Sequence, residues 1–451
     1  MIPIYLDSHI KINKKFVDFE MRKELLEALS VSIELYGGDF KEFNFFNEDK
    51  VYYIFPRGFL TYLLKGLSSS GHKYKLIDKR VYNKSCTFNS KINLKKHQVP
   101  AVASILKEEQ GIYQAPPGSG KTITSLEAVR LAATTSIILT DRVSIADQWR
   151  QRAESFLGCE TGYIGDGSFD VKDFTVASKQ TLWSRKDELR KTGFFDKFGF
   201  VIIDECHHSS ADNYQLVIQE FKAKYRIGLS ATPYMNSGYE KIIHLLLGEI
   251  IHVTKEDDLQ SEDILVRPKV FVTKTNFYKK YFNTGKYNNY QQVIKALVND
   301  YARNLDIASI IVNNGDKRVL VSTSRIAHID NLKSILETLN YKNNIYILTG
   351  KESRQEKSHI CSEVANSPCV LLSTIAQEAL DIPSLDLLIN SFPVNKKDLM
   401  RQKIGRVERS SPGKNVCEVY DFHDHRCGVL DNQFRNRISL YREKGLEIEF
   451  L

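Results

Sequence analysis

The sequence predicts an α/β protein with two parallel-sheet domains in tandem behind a small N-terminal α+β module. Two series of short, nearly continuous Val/Ile/Leu runs, separated by longer amphipathic stretches, carry this reading. Runs of that kind are strands buried on both faces, which is the condition of parallel sheets flanked by helices. The third observation is a change of character before about residue 90, where short alternating runs surround a single helical segment. At 451 residues the chain is long enough for two to four domains, each with its own core.

Taken in order, 2–6, 51–55 and 74–77 read as strands around a helix over 17–29, and residues 1–90 form the accessory module. The first apolar series is 136–140, 174–178, 200–204 and 225–230, which places one α/β domain over 91–255. The second is 318–323, 344–349, 367–374, 385–391 and 416–422, which places the other over 256–451. Between the two series, the acidic and weakly periodic stretch 255–263 reads as a linker. No 20–50-residue repeat is present, which removes a solenoid. No apolar run reaches the roughly 18 residues of a membrane span, and the N-terminus lacks the pattern of a secretory signal. Seven cysteines without a C-x-x-C pair argue against a disulfide framework and a zinc ribbon. A soluble protein of a reducing, cytoplasmic compartment is expected, as a monomer.

The net charge of +8 is unevenly spread. Residues 65–96 hold nine Lys/Arg against the one acid Asp78, and residues 264–299 hold seven Lys/Arg and no acid among Phe271, Phe277, Tyr278, Tyr281, Phe282, Tyr287 and Tyr290. Cations beside stackable rings suit a nucleic-acid strand. A solvated face over a few core aromatics explains each window equally well.

Chemistry concentrates in three segments. Residues 115–122 read Ala-Pro-Pro-Gly-Ser-Gly-Lys-Thr and run into a helical pattern. Such a loop turns backbone N–H groups toward phosphates, with Pro117, Gly118, Ser119 and Gly120 forming the cradle, Lys121 reaching the β/γ-phosphates and Thr122 offering a hydroxyl to Mg2+. Val201-Ile202-Ile203 then delivers Asp204 and Glu205 to a strand's carboxyl end, where ligands gather in α/β sheets. Asp204 suits Mg2+ and Glu205 suits the attacking water. Gln402, Arg406 and Arg409 lie in one basic helical stretch, and guanidiniums stabilise a transferring phosphoryl group. His207 and His208 beside Asp204, and His423, Asp424 and His425 near Cys427, read as structural rather than as metal sites.

These segments, together with Ser230-Ala231-Thr232, stand in the order of motifs I, II, III and VI of superfamily 2 helicases, and the chain resembles a DExH-box member over roughly residues 90 to 425. The resemblance implies two RecA-like domains with ATP and Mg2+ in the cleft between them. It implies adenine contact by Gln98 and a place for Asp381 near the ribose or the arginines. It implies nucleic-acid backbone contacts by Thr140, Arg142, Ser178, Gln180, Thr181, Ser324, Arg325 and Thr374, and coupling through His207, Ser230 and Thr232. The sequence departs from the family in lacking the proline usual before Thr140, and Ala379 stands where glycine is common. The region around Gln402–Arg409 resembles the excision-repair and restriction-motor branch, and the architecture resembles bacteriophage helicases of the UvsW and T5 type. An ATP-driven motor that unwinds or branch-migrates forks and junctions is therefore expected, in a host cytoplasm if phage-encoded. A duplex translocase without strand separation, an RNA helicase and a nucleotide-gated switch remain open at this point.

Overall fold

The computed structural model describes residues 1–34, 39–83, 86–90, 92–207, 212–231, 239–280, 288–376, 380 and 382–451, which fall into two compact units, 1–255 and 256–451.

The first unit opens with strands β1 (Ile2–Leu6), β2 (His9–Asn13), β3 (Ser30–Glu34), β4 (Phe40–Asn44), β5 (Asn47–Glu48), β6 (Tyr52–Pro56) and β7 (Tyr74–Asp78). Five of them make a sheet in the order β5-β6-β2-β1-β7, with β1 and β7 parallel and the other pairs antiparallel, while β3 and β4 form a separate hairpin. Two-residue alternation buries Ile2, Ile4 and Leu6 on β1 and Ile10 and Ile12 on β2. The expected helix starts at Phe19, where the Asp18 carboxylate accepts the Met21 N–H at 2.9 Å and caps it. A second helix, Leu60–Ser69, lies in a stretch that the sequence reading left unassigned.

This module shares its core with the sheet that follows. Ile4, Ile10, Phe55 and Phe59 belong to one apolar cluster with Ile112, Leu139, Val201, Ile203, Ile242 and Leu246. The backbones also meet closely. A Cβ on Gly58 would lie 2.1 Å from the His244 carbonyl oxygen, so a side chain does not fit there.

The main sheet of the first unit comprises β8 (Gln110–Gln114), β9 (Ser136–Thr140), β10 (Thr161–Gly165), β11 (Ser168–Phe169), β12 (Phe174–Ser178), β13 (Phe200–Ile203), β14 (Tyr225–Ser230) and β15 (Ile250–Val253). Their order is β11-β10-β12-β9-β13-β14-β8-β15, and all pairs are parallel except β10 with β11. Every residue of β9, β13 and β14 is buried, as their largely apolar runs favour, and in β14 this includes Arg226.

The second unit has one sheet of β16 (Pro268–Lys274), β17 (Arg318–Ser322), β18 (Asn344–Leu348), β19 (Cys369–Ser373), β20 (Leu387–Asn390), β21 (Cys417–His423) and β22 (Ile448–Phe450). Its order is β18-β19-β17-β20-β21-β16-β22, parallel throughout. The stretch read as a linker is in part a helix of this unit, Glu256–Ser261, with Leu259 buried. Glu256 pairs with Lys444 at 2.6 Å, a partner far away in sequence that the acidic composition does not reveal. Among the described residues no helix is long and apolar enough to cross a membrane.

Candidate nucleotide site and nucleic-acid interface

Strand β8 ends directly in the phosphate loop, and the Ala115 N–H bonds the Ser230 carbonyl at 3.0 Å, tying the loop's start to the end of β14. Gly118 (φ 84°) and Gly120 (φ 80°) take the left-handed backbone that the wrap needs, and a Cβ on Gly120 would sit 2.4 Å from Gln98 Nε2. Pro117, Gly118 and Gly120 keep accessible surface, and the Ser119 side chain is buried. The helix Lys121–Ala132 begins at once, so its positive end points at the cradle. Lys121 Nζ donates to the Ala115 carbonyl at 2.8 Å, folding over its own loop. Buried Gln98 and His97 both bond the Ser119 carbonyl, at 3.1 and 2.9 Å, and Gln98 Oε1 accepts the Lys95 N–H at 3.0 Å. Gln98 thus braces the phosphate loop.

Asp204 and Glu205 leave β13 at the same sheet edge. Asp204 Oδ1 accepts the Glu205 N–H at 3.0 Å, and Oδ2 accepts Trp149 Nε1–H at 2.7 Å. Burial, with the neighbouring Glu205 charge, raises the Asp204 carboxyl above its ordinary value, opposed by the Trp149 bond and by Lys121 and Lys179. Glu205 has φ 44°, a conformation that costs an L-residue about 1–2 kcal/mol and that the surrounding sheet must hold in place. His207 Nδ1 lies 3.1 Å from Ser230 Oγ and 3.4 Å from Glu205 Oε2, so it touches the acid and the end of β14 together. Thr122 Oγ1 accepts from Arg152 Nη1 at 3.1 Å. Thr232, His208, Ala379 and Asp381 lie outside the described residues.

The residues present fit a magnesium nucleotide. Thr122 and Asp204 offer hard oxygen donors, Lys121 would supply a cation to the phosphates, and the two left-handed glycines shape the loop that would receive them.

The nucleic-acid candidates divide. Arg142 and Gln180 are exposed and Thr181 is half-buried. Thr140, the last residue of β9, is 1% exposed with its hydroxyl buried. Ser178 caps the helix Lys179–Ser184 by accepting the Thr181 N–H. In the second unit Ser324 is exposed, and exposed Arg325 donates to Gln291 at 2.7 Å. Thr374 Oγ1 donates to the Thr349 carbonyl at 3.0 Å. On the helix Lys397–Val407, Gln402 and Arg406 are half-buried, with Arg406 donating to the Leu380 carbonyl at 2.9 Å; Arg409 follows two residues beyond the helix.

The two basic windows also resolve into parts. Arg80 is spoken for by Asp78 and Glu109, both at 2.6 Å, and Lys79 lies over the Tyr5 ring, whereas Lys65, Lys73 and Lys75 are exposed. Lys84 and Lys91 lie outside the described residues. In the second window Phe277 is core, Phe271 stacks on Tyr420 and Lys269 sits between Glu447 and Glu449. Of its described rings Tyr278 is the exposed one at 60%, and Tyr281, Phe282 and Tyr287 are outside the described residues. His423 bonds Asp431 at 2.7 Å, and Asp424 takes Thr275 and Arg303.

Sequence reasoning missed Trp149, Arg152 and buried Lys179, whose Nζ reaches Asp141 Oδ2 at 3.2 Å and the Asp204 carbonyl at 3.1 Å. Trp149 and Arg152 stand three apart on a helix, which is the one sequence signal that they share a face.

Residues 91–235 match the family described as type III restriction enzyme, res subunit, and residues 302–411 match the helicase conserved C-terminal domain. The chain belongs to superfamily 2 of the helicases. Its relatives include the DNA 3'-5' translocase XPB2 of Sulfurisphaera tokodaii, 26% identical over 71% of this chain and 79% of that one. Another is the probable helicase D10 of Escherichia phage T5, 27% identical over 84% of this helicase and 82% of the phage protein. The fold is likewise that of tandem RecA-like units. A fragment of a putative HsdR subunit of a type I restriction enzyme from Vibrio vulnificus superposes with a TM-score of 0.60 at 15% identity, over 96% of this helicase and 81% of the fragment.

Proposed function

We propose that this helicase is an ATP-driven DNA motor that unwinds or branch-migrates forks and junctions. The observation that carries the motor is the sheet edge where the phosphate loop, Asp204 and Glu205 come together and His207 bridges Glu205 to Ser230. Exposed Arg142 and Gln180 follow β9 and β12, at that same edge. DNA rather than RNA is supported by the relative named a DNA translocase.

On this reading Lys121 and the loop N–H groups bind the phosphates. Thr122 and Asp204 hold Mg2+, which when bound neutralises phosphate charge. Glu205 takes the proton of the attacking water, and Gln402, Arg406 and Arg409 serve the transferring phosphoryl group. Arg142, Gln180, Thr181, Ser324, Arg325 and Thr374 meet the strand backbone, giving binding that is blind to sequence.

The test is the ATPase rate with no nucleic acid and with single-stranded DNA, duplex, a four-way junction and RNA. Stimulation greatest with the junction is expected. Stimulation by RNA alone would reassign the substrate, and indifference to all of them would end the motor reading.

A second expectation concerns the N-terminal module as a holder of duplex arms. Replacing Lys65, Lys73 and Lys75 together with Ala should weaken duplex binding and lower the slope of log affinity against log salt by roughly 2–3, about 0.9 per lost phosphate contact. An unchanged slope would remove the module from the DNA path. Arg80 is left out because its charge is already neutralised within the fold.

A further inference from the structure

One helix, Val143–Leu157, touches both side chains assigned to the metal. Trp149 donates its indole N–H to Asp204 Oδ2 at 2.7 Å, and Arg152 donates to Thr122 Oγ1 at 3.1 Å. The two anchors differ in what they leave open. A carboxylate has lone pairs to spare, so the Trp149 bond persists when the same group faces a cation. A hydroxyl oxygen has two, of which the guanidinium takes one, and its positive charge opposes that of a divalent cation on the same oxygen. Trp149 is 2% exposed and packed in the core, whereas Arg152 is half-buried.

The same helix begins at Val143, directly after exposed Arg142, which occupies the N-cap position without a side-chain capping bond. A second connection runs parallel to it. Lys179 joins Asp141, the neighbour of Arg142, to the Asp204 backbone. The helix is therefore tied to the acid strand at its middle through Trp149, and the residue before its N-cap is tied there through Lys179.

We propose that this helix is a metal-sensing latch, pivoting on Trp149, in which Arg152 holds Thr122 while the Mg2+ position is empty and releases it when Mg2+ arrives, moving Arg142 at the nucleic-acid face. Arg152 is a positioning residue in this scheme. The inference rests on the magnesium–nucleotide reading above and adds to it which side chains report occupancy and where the report goes.

The chain has two tryptophans, so Trp183→Phe leaves Trp149 as the sole indole reporter. In that background, Mg2+ is titrated at fixed ADP while Trp149 emission is followed, and affinity for single-stranded DNA is measured with and without Mg2+·ADP. Arg152→Gln should lower the half-saturating Mg2+ by roughly three- to tenfold, the weight of one competing hydrogen bond. It should also erase the difference in DNA affinity between the two nucleotide states, and Arg152→Lys should restore part of both. A merely structural Arg152 would shift the melting temperature and leave the Mg2+ midpoint where it was. That result, with the DNA difference intact, would overturn the latch while leaving the nucleotide site standing. A parent protein that binds no Mg2+·ADP would instead remove the nucleotide reading, and the latch with it.

Discussion

Glu205→Gln should leave ATP bound and stop its hydrolysis. The substitution keeps the shape of the side chain and its place beside His207, and it removes only the ability to accept a proton. Loss of a positioned general base costs on the order of 10²–10⁴ in rate, so turnover should fall by that range while nucleotide affinity barely moves. Lys121→Ala is the contrasting variant, because it takes away the cation that meets the phosphates and should lose binding itself. Single-turnover hydrolysis together with equilibrium binding of ATP separates the two. The backbone supplies a further control. With φ at 44°, Glu205 stores strain that glycine does not feel, so Glu205→Gly should also abolish hydrolysis without destabilising the fold. Hydrolysis that persists in Glu205→Gln would mean that another group activates water, and the role given to this acid would be withdrawn.

What the sequence disclosed, and what it withheld, follows from the range of each interaction. Strands β9, β12, β13 and β14 announced themselves because burial on both faces leaves their runs largely apolar, with Thr175 and Arg226 the polar residues inside them. The strand that enters the phosphate loop did not: Gln110–Gln114 holds only Ile112 and Tyr113 as apolar side chains, and its Gly111 is required where a Cβ would strike Ile251 and the Glu249 carbonyl. Lys121, Asp204 and Glu205 were legible because backbone geometry dictates their spacing. Trp149, Arg152 and Lys179 were not, since each meets the site through tertiary contact with a residue at least 25 positions away. The charge windows misled for the same reason. Glu109 neutralises Arg80 across 29 residues, and Glu447 and Glu449 take Lys269 from the far end of the chain. Composition within a window cannot see a counterion outside it.

Arg57→Ala should be the most destabilising single change in the first unit. The guanidinium is wholly buried, with Nε on Gln110 Oε1, Nη1 on the Ala223 carbonyl and Nη2 on the Lys224 carbonyl. Gln110 returns a bond to the Arg57 carbonyl at 3.1 Å. Burial, with the charges of Arg226 and Arg80, pulls the group well below the ordinary arginine value, so its protonated form depends on these neutral acceptors. Alanine would leave them unpaired in a dry site and open a cavity, a loss of about 3–5 kcal/mol. For a unit of this size that corresponds to a fall in melting temperature of roughly 10 °C. Arg57→Lys should recover only part, because one ammonium cannot span a planar fork. A loss under about 1 kcal/mol would show that the module's grip lies in its apolar face instead. The site should register the change too. Arg57 clasps the amino ends of β8 and β14, and the opposite ends of those two strands carry Ala115 and Ser230, which bond each other across the mouth of the phosphate loop. Loosening one end of the pair should raise the KM for ATP in protein that is still folded, with kcat much less affected.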